Sequence, residues 1–105
     1  MDPQTVRTAI DQYLTKLGQK INVSEAILYG SVASNSATPD SDVDLIVISN
    51  DFSDLDSDTR SQILYRASVG FPYDLHVHGF TSQEFDNASP LTSLGQIKKQ
   101  QVLKI

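Results

Sequence analysis

Ser41-Asp-Val-Asp-Leu-Ile-Val-Ile48 is the stretch on which the fold turns. Its β-branched and apolar residues predict a strand from Asp42 to Ser49, entered through two carboxylates. Period-two alternation puts Asp42, Asp44, Ile46 and Ile48 on one face and Val43, Leu45 and Val47 on the other. Both faces are therefore largely buried. Two carboxylates at the mouth of such a strand repel each other, and a cation bridging them would relieve that cost; hard oxygen ligands suit magnesium or manganese. The plainer reading is that both carboxylates cap the strand end in solvent, and Asp-x-Asp alone favours it.

Upstream, Asp2-Pro3 is a helix start, an N-cap followed by proline in the first turn. Val6, Ile10, Tyr13, Leu14 and Leu17 then recur at helical spacing up to Gly18. Glu25-Ala-Ile-Leu-Tyr29 reads as a short buried strand closed by Gly30-Ser31, and 32–41 as a short helix or loop. Downstream, a second helix is expected over Ser57–Ser68 with Ile63, Leu64 and Ala67 inward, ended by Gly70. Pro72–Phe80 forms a third strand. Thr81 and Glu84 have capping-box spacing and open a brief helical turn. Ser89-Pro90 begins the last helix, Lys98-Lys99 suit its C-terminal end, and Gln101–Ile105 forms a final edge strand. The order predicts an α/β (α+β) domain, a small mixed sheet flanked by helices, with residues 1–105 as one domain.

With 39% hydrophobic and 20% charged residues, the composition is that of a soluble globular protein. The apolar run Leu45–Ile48 is far too short to span a bilayer. Residues 1–10 lack the pattern of a secretory signal, so the expected compartment is the cytoplasm. The absence of cysteine excludes thiolate catalysis and cysteine-based zinc sites. No Lys or Arg falls between Lys20 and Arg60, whereas Asp40, Asp42, Asp44, Asp51, Asp54, Asp56 and Asp58 do. Such a centre repels phosphate backbones and excludes indiscriminate nucleic-acid binding. It can still take a phosphorylated ligand with a divalent cation between. The Asp51–Asp58 run itself reads as a solvated loop and helix start.

Asp74 shifts the balance for the Asp-x-Asp pair. It opens Asp74-Leu-His-Val-His78 and would complete a three-carboxylate cluster if the two strands are neighbours. Two magnesium ions on three carboxylates can clamp the attacking and leaving oxygens of an in-line phosphoryl displacement. Gly30, directly after a strand, permits a tight turn and close backbone approach. The N–H groups that follow, with the Ser31 hydroxyl, can meet phosphate oxygens.

Gly30-Ser31, ten intervening residues, then Asp42-x-Asp44 resembles the signature of the DNA polymerase β-like nucleotidyltransferase superfamily. Ile27–Ala33 and Ser41–Val47 resemble its two best-marked segments, and the short length resembles its minimal nucleotidyltransferases. The resemblance implies the polymerase β-like nucleotidyltransferase fold. It implies that Gly30 and Ser31 contact nucleotide phosphates and that Asp42, Asp44 and Asp74 hold two Mg2+ ions, or Mn2+. Asp74 would also help to activate the acceptor. The activity implied is transfer of a nucleoside monophosphate, AMP from ATP, to a hydroxyl. Relatives of this size accompany HEPN-type toxins, which implies an antitoxin role on a toxin tyrosine and a helical partner or a homo-oligomer. Ser34-Asn35 stands where many relatives carry Arg-Gly, which removes a cationic partner for the phosphates.

Asp74-x-His76-x-His78 is also similar to the opening metal motif of the PHP phosphoesterases. Those enzymes need a whole barrel and several later ligands, and this chain has only these two histidines. His76 is expected to line the nucleotide site and His78 to be structural. Tyr13 and Tyr65 are expected in core or interface, while Tyr29 and Tyr73 flank the site. A binding module that neutralises a partner by contact alone is the competing function.

Overall fold

The computed structural model describes residues 3–33, 38, 41–89, 92–98 and 103–104. Helix α1 (Pro3–Leu17) is followed by strand β1 (Glu25–Tyr29), a single helical turn α2 (Gly30–Ala33) and strand β2 (Val43–Ile48). A 3₁₀ turn (Asn50–Phe52) leads to α3 (Ser57–Ala67), β3 (Leu75–Phe80), α4 (Ser82–Asp86), α5 (Ser93–Lys98) and the two-residue β4 (Leu103–Lys104). The expected Asp2 cap, the Ser34-Asn35 departure, Asp40, Pro90 and Lys99 lie outside the described residues, as do three residues of the expected tail strand, 101, 102 and 105.

The strands lie in the order β3-β2-β1-β4. β1 runs antiparallel to β2 and to β4, whereas β2 and β3 are parallel, joined through α3. The sheet is therefore mixed, as expected. Val43, Leu45 and Val47 join Ala26 and Leu28 under α1 and α3, with Val6, Ile10, Tyr13, Leu17 and Leu64. Ile46 and Ile48 turn to the other face and cluster with Ile27, Tyr29, Phe80 and Phe85. Each of these five β2 side chains is almost wholly buried, so burial of both faces is borne out.

Local chemistry fixes the element ends. Asp56 caps α3 by accepting from the Thr59 N–H at 2.7 Å. That bond holds the Asp56 carboxyl below its usual range. Thr81 and Glu84 form the expected reciprocal capping box. Tyr13 donates to the Leu64 carbonyl at 3.0 Å and so ties α1 to α3; burial pushes its phenol far above the usual range. Two expectations are corrected. The third strand begins at Leu75, because Pro72 and Tyr73 belong to a bend in which Tyr73 packs edge-on against Phe71. The last helix begins at Ser93, where the Thr92 hydroxyl accepts from the Gly95 N–H. Tyr65 is 72% exposed, so of the two places expected for it, core or interface, it does not lie in the core.

Candidate active site

The mouth of β2 is built by its two neighbours. On one side, antiparallel pairing sets Tyr29 of β1 beside Asp44. On the other, parallel pairing sets His76 of β3 beside Asp44. The Val43 N–H donates to the Asp74 carbonyl at 2.8 Å, which draws the residue preceding β3 alongside Asp42. The backbone thus brings Asp42, Asp44 and Asp74 to one end of two adjacent strands, with Asp44 on the sheet face away from α1 and α3.

Gly30 closes this corner from β1. Its φ is +77°, a left-handed conformation that side-chain-bearing residues rarely adopt. A β-carbon built on it would collide with Asp44 Oδ2. Glycine here serves both the turn into α2 and the close approach of its backbone to a carboxylate. Ser31 follows in α2, half-buried.

The electrostatics show a partly buried carboxylate among charged neighbours. Burial raises the Asp44 carboxyl above its usual range. The His76 and His78 rings oppose that shift, and the negative charge of Asp42 adds to it. Burial, then the Asp44 charge, raises the Tyr29 phenol as well. His76 Nε2 lies 3.2 Å from Asp42 Oδ2. His76 is therefore a direct partner of an Asp-x-Asp carboxylate, and sequence spacing placed it near the site without showing that contact. His78 is exposed and lies close enough to act on Asp44. Tyr73 faces the α1–α3 core and does not flank the site.

The donor chemistry suits a hard divalent cation: oxygen ligands from like-charged neighbours, one of them desolvated, whose repulsion a cation would cancel. As the side chains stand, no three His, Asp or Glu among the described residues are arranged to hold a metal ion. His76 is drawn to one of the Asp42 oxygens that such an ion would use.

Arg60 anchors the other end of β3, away from the three aspartates. Its guanidinium donates to Phe52 O at 2.7 Å and Gly79 O at 3.4 Å, its Nε to Leu55 O at 3.0 Å, and it pairs with Glu84 at 2.7 Å. It also lies over the Phe52 ring, 5.6 Å from the centroid. One side chain so joins the 3₁₀ turn, β3 and α4. The sequence signal was the first cation after thirty-nine acidic or neutral positions.

Comparison with known proteins gives a consistent result. The nucleotidyltransferase domain family model matches residues 10–101. No curated protein sequence matches the chain. Among solved structures, a protein of Sulfolobus solfataricus described as a candidate nucleotidyltransferase superposes with a TM-score of 0.68 at 14% identity, covering 83% of this chain and 77% of that one. A toxin–antitoxin structure with AMP-PNP superposes with a TM-score of 0.60 at 20% identity, covering 88% and 68%. BolA1 from Arabidopsis thaliana shares the fold more loosely, with a TM-score of 0.54 at 15% identity, covering 72% and 94%. At these identities the likeness is one of fold.

Proposed function

Since the chain belongs to the nucleotidyltransferase domain family, we propose that it transfers AMP from ATP to a hydroxyl group of a partner protein. The observation that carries this reading is the corner itself. A left-handed glycine rests against Asp44, beside Asp42 and next to the strand that Asp74 opens. Asp42, Asp44 and Asp74 would hold Mg2+ or Mn2+. When bound, such ions neutralise the triphosphate and the charge that develops on the leaving group. The backbone after Gly30 and the Ser31 hydroxyl receive phosphate oxygens. Asp74, exposed at the outer strand, accepts the proton of the incoming hydroxyl. The acceptor oxygen forms a bond to the α-phosphorus, the bond from that phosphorus to the β-phosphate bridging oxygen breaks, and pyrophosphate leaves. Most of the rate comes from holding these groups in line.

The fold shared with a toxin–antitoxin structure containing AMP-PNP supports an adenine nucleotide and a protein acceptor, here a tyrosine of a helical, HEPN-type toxin. No helix of the described residues is long and apolar enough to cross a membrane, in keeping with action in the cytoplasm. A second reading has its own observation. His76 engages Asp42 and no three-ligand arrangement is preformed among the described residues, which favours an antitoxin that works by contact alone. Co-expression with the protein encoded beside it, followed by intact-mass spectrometry, separates the two. An added nucleoside monophosphate on the partner, abolished by Asp74→Asn, is expected. A tight complex without added mass would establish the contact-only role.

A further inference from the structure

β3 turns part of its backbone away from the rest of the sheet. The Val43 N–H donates to Asp74 O at 2.8 Å and the Ser49 N–H to Phe80 O at 2.9 Å. In the parallel register Asp44 faces His76 and Ile46 faces His78. Even-numbered residues of β3 therefore bond to β2, and Leu75, Val77 and Gly79 direct their N–H and C=O groups outward. With β3 at the end of the strand order, that side is the sheet's edge among the described residues. Arg60 covers the outward carbonyl of Gly79. The open portion is Leu75 and Val77, and an open edge templates pairing with another strand.

We propose that this edge pairs with β3 of a second copy of the chain, antiparallel, about a two-fold axis through His76. Hydrogen bonding and charge both suit that register. Reciprocal backbone bonds require outward-facing residues on both sides, so Leu75 of each copy pairs with Val77 of the second copy. His76 then lies opposite its own counterpart. Asp74 falls opposite His78 of the second copy, twice per dimer, and an imidazole N–H can donate to a carboxylate in either protonation state. An axis through Val77 would instead require the Gly79 carbonyl that Arg60 holds, and would set Asp74 against Phe80.

The flank of the edge fits the same occupant. Ser61, Leu64, Tyr65 and Ser68 of α3 line, with Leu75 and Val77, a groove of about 340 Å³ along it. The two-fold axis brings α3 of the second copy alongside on the same face. Exposed Tyr65 (72%) then has an apolar neighbour across the interface. One consequence reaches the site: each Asp74 gains an imidazole from the other copy. The pairing rests on the edge and its charges and not on nucleotidyl transfer, and its test reads mass and cross-linking.

The chain has no cysteine, so single introduced thiols report position. Antiparallel neighbours that do not share hydrogen bonds have Cα atoms about 4.5 Å apart, within the span of a disulfide. Asp74, His76 and His78 are exposed, and circular dichroism verifies that substituted chains keep their fold. Sedimentation velocity of the full chain should show reversible dimers. His76→Cys should yield a disulfide-linked dimer on mild oxidation, and His78→Cys should not. His78→Asp should weaken self-association about tenfold, and the exchanged pair His78→Asp with Asp74→His should restore it. A chain monomeric at every concentration overturns the proposal. So does cross-linking by His78→Cys in place of His76→Cys, or a dimer indifferent to His78→Asp. An edge occupied only by a different protein would assign it to that protein and overturn self-pairing equally.

Discussion

Gly30 lies so close to Asp44 that its missing side chain is part of the site: a β-carbon there would collide with Asp44 Oδ2. The glycine must also hold a φ of +77°. Sequence position twenty-nine is thereby followed by a turn that only one residue type fits at no steric cost.

Gly30→Ala combines two penalties. A left-handed backbone costs a side-chain-bearing residue about 1–2 kcal/mol, and the Asp44 carboxylate must also move. We expect calorimetry to show a melting temperature lower by roughly 5–10 °C. Adding Asp44→Ala removes the carboxylate from the collision, so the double variant should be more stable than the sum of the singles by about 1 kcal/mol. Strict additivity would show that the two residues do not press on each other.

Asp44→Asn tests the crowding of the carboxylates. The folded-state carboxyl is raised by burial first, with Asp42 adding to it. The folded chain therefore holds the Asp44 proton to higher pH than the unfolded chain does. Its ionisation costs stability, and that cost grows as pH rises from the unfolded value through the folded one. At neutral pH without metal, Asp44→Asn should raise the melting temperature by about 1–3 °C, a small figure because the group is partly solvated. The gain should fade in acid, where both states carry the proton. Thermal melts of both chains across acid to neutral pH decide it; a gain that is constant with pH, or a loss at neutral pH, returns Asp44 to an ordinary strand cap.

Much of this arrangement was legible in the residues because it follows from periodicity. The alternation of Val43 to Ile48 gave both buried faces, and the Thr81–Glu84 spacing gave a capping box that the structure contains. Asp42 and Asp44 leave one face because strands have period two. What was not legible depends on pairs distant in sequence. The His76–Asp42 contact needs the parallel register of β2 and β3, and no local pattern encodes register. Tyr65 looked apolar and helical, yet α3 turns it outward. Arg60 reads as a surface cation until the 3₁₀ turn, β3 and α4 are seen to converge on it.

Arg60→Leu should therefore be among the costliest single changes outside the hydrophobic core. It deletes bonds to three backbone carbonyls and to Glu84. We expect a loss of about 2–3 kcal/mol by urea denaturation. Arg60→Lys should recover little, because a single ammonium cannot reproduce a planar fork. The Arg60 hydrogen bond is also the main reason the Glu84 carboxyl sits below its usual range. That stabilisation is present above the unfolded carboxyl range and is lost as pH falls through the lowered folded value. The acid limb of the stability profile should thus be shallower in Arg60→Leu. An unchanged limb would mean that the pair contributes nothing at the surface.

Nucleotide binding should depend on a divalent cation, and the reason is visible in the charge map. No Lys or Arg occurs between Lys20 and Arg60, and the first cation after that gap is engaged with Glu84 and backbone carbonyls. A triphosphate approaching Gly30 meets Asp42 and Asp44, the second of which has a carboxyl already raised by burial, with the Asp42 charge adding to it. Without a cation between them, the ligand adds like charge to like charge. Calorimetry should show ATP binding in magnesium and at least a tenfold loss in EDTA. Asp42→Asn, Asp44→Asn and Asp74→Asn should each remove the magnesium-dependent part together with the thermal shift it produces. Because the site as described grips only the phosphates, ATP and GTP should bind the isolated chain with affinities within a few-fold of each other. Equal ATP affinity with and without magnesium would remove the metal from this site and leave the three aspartates as strand caps.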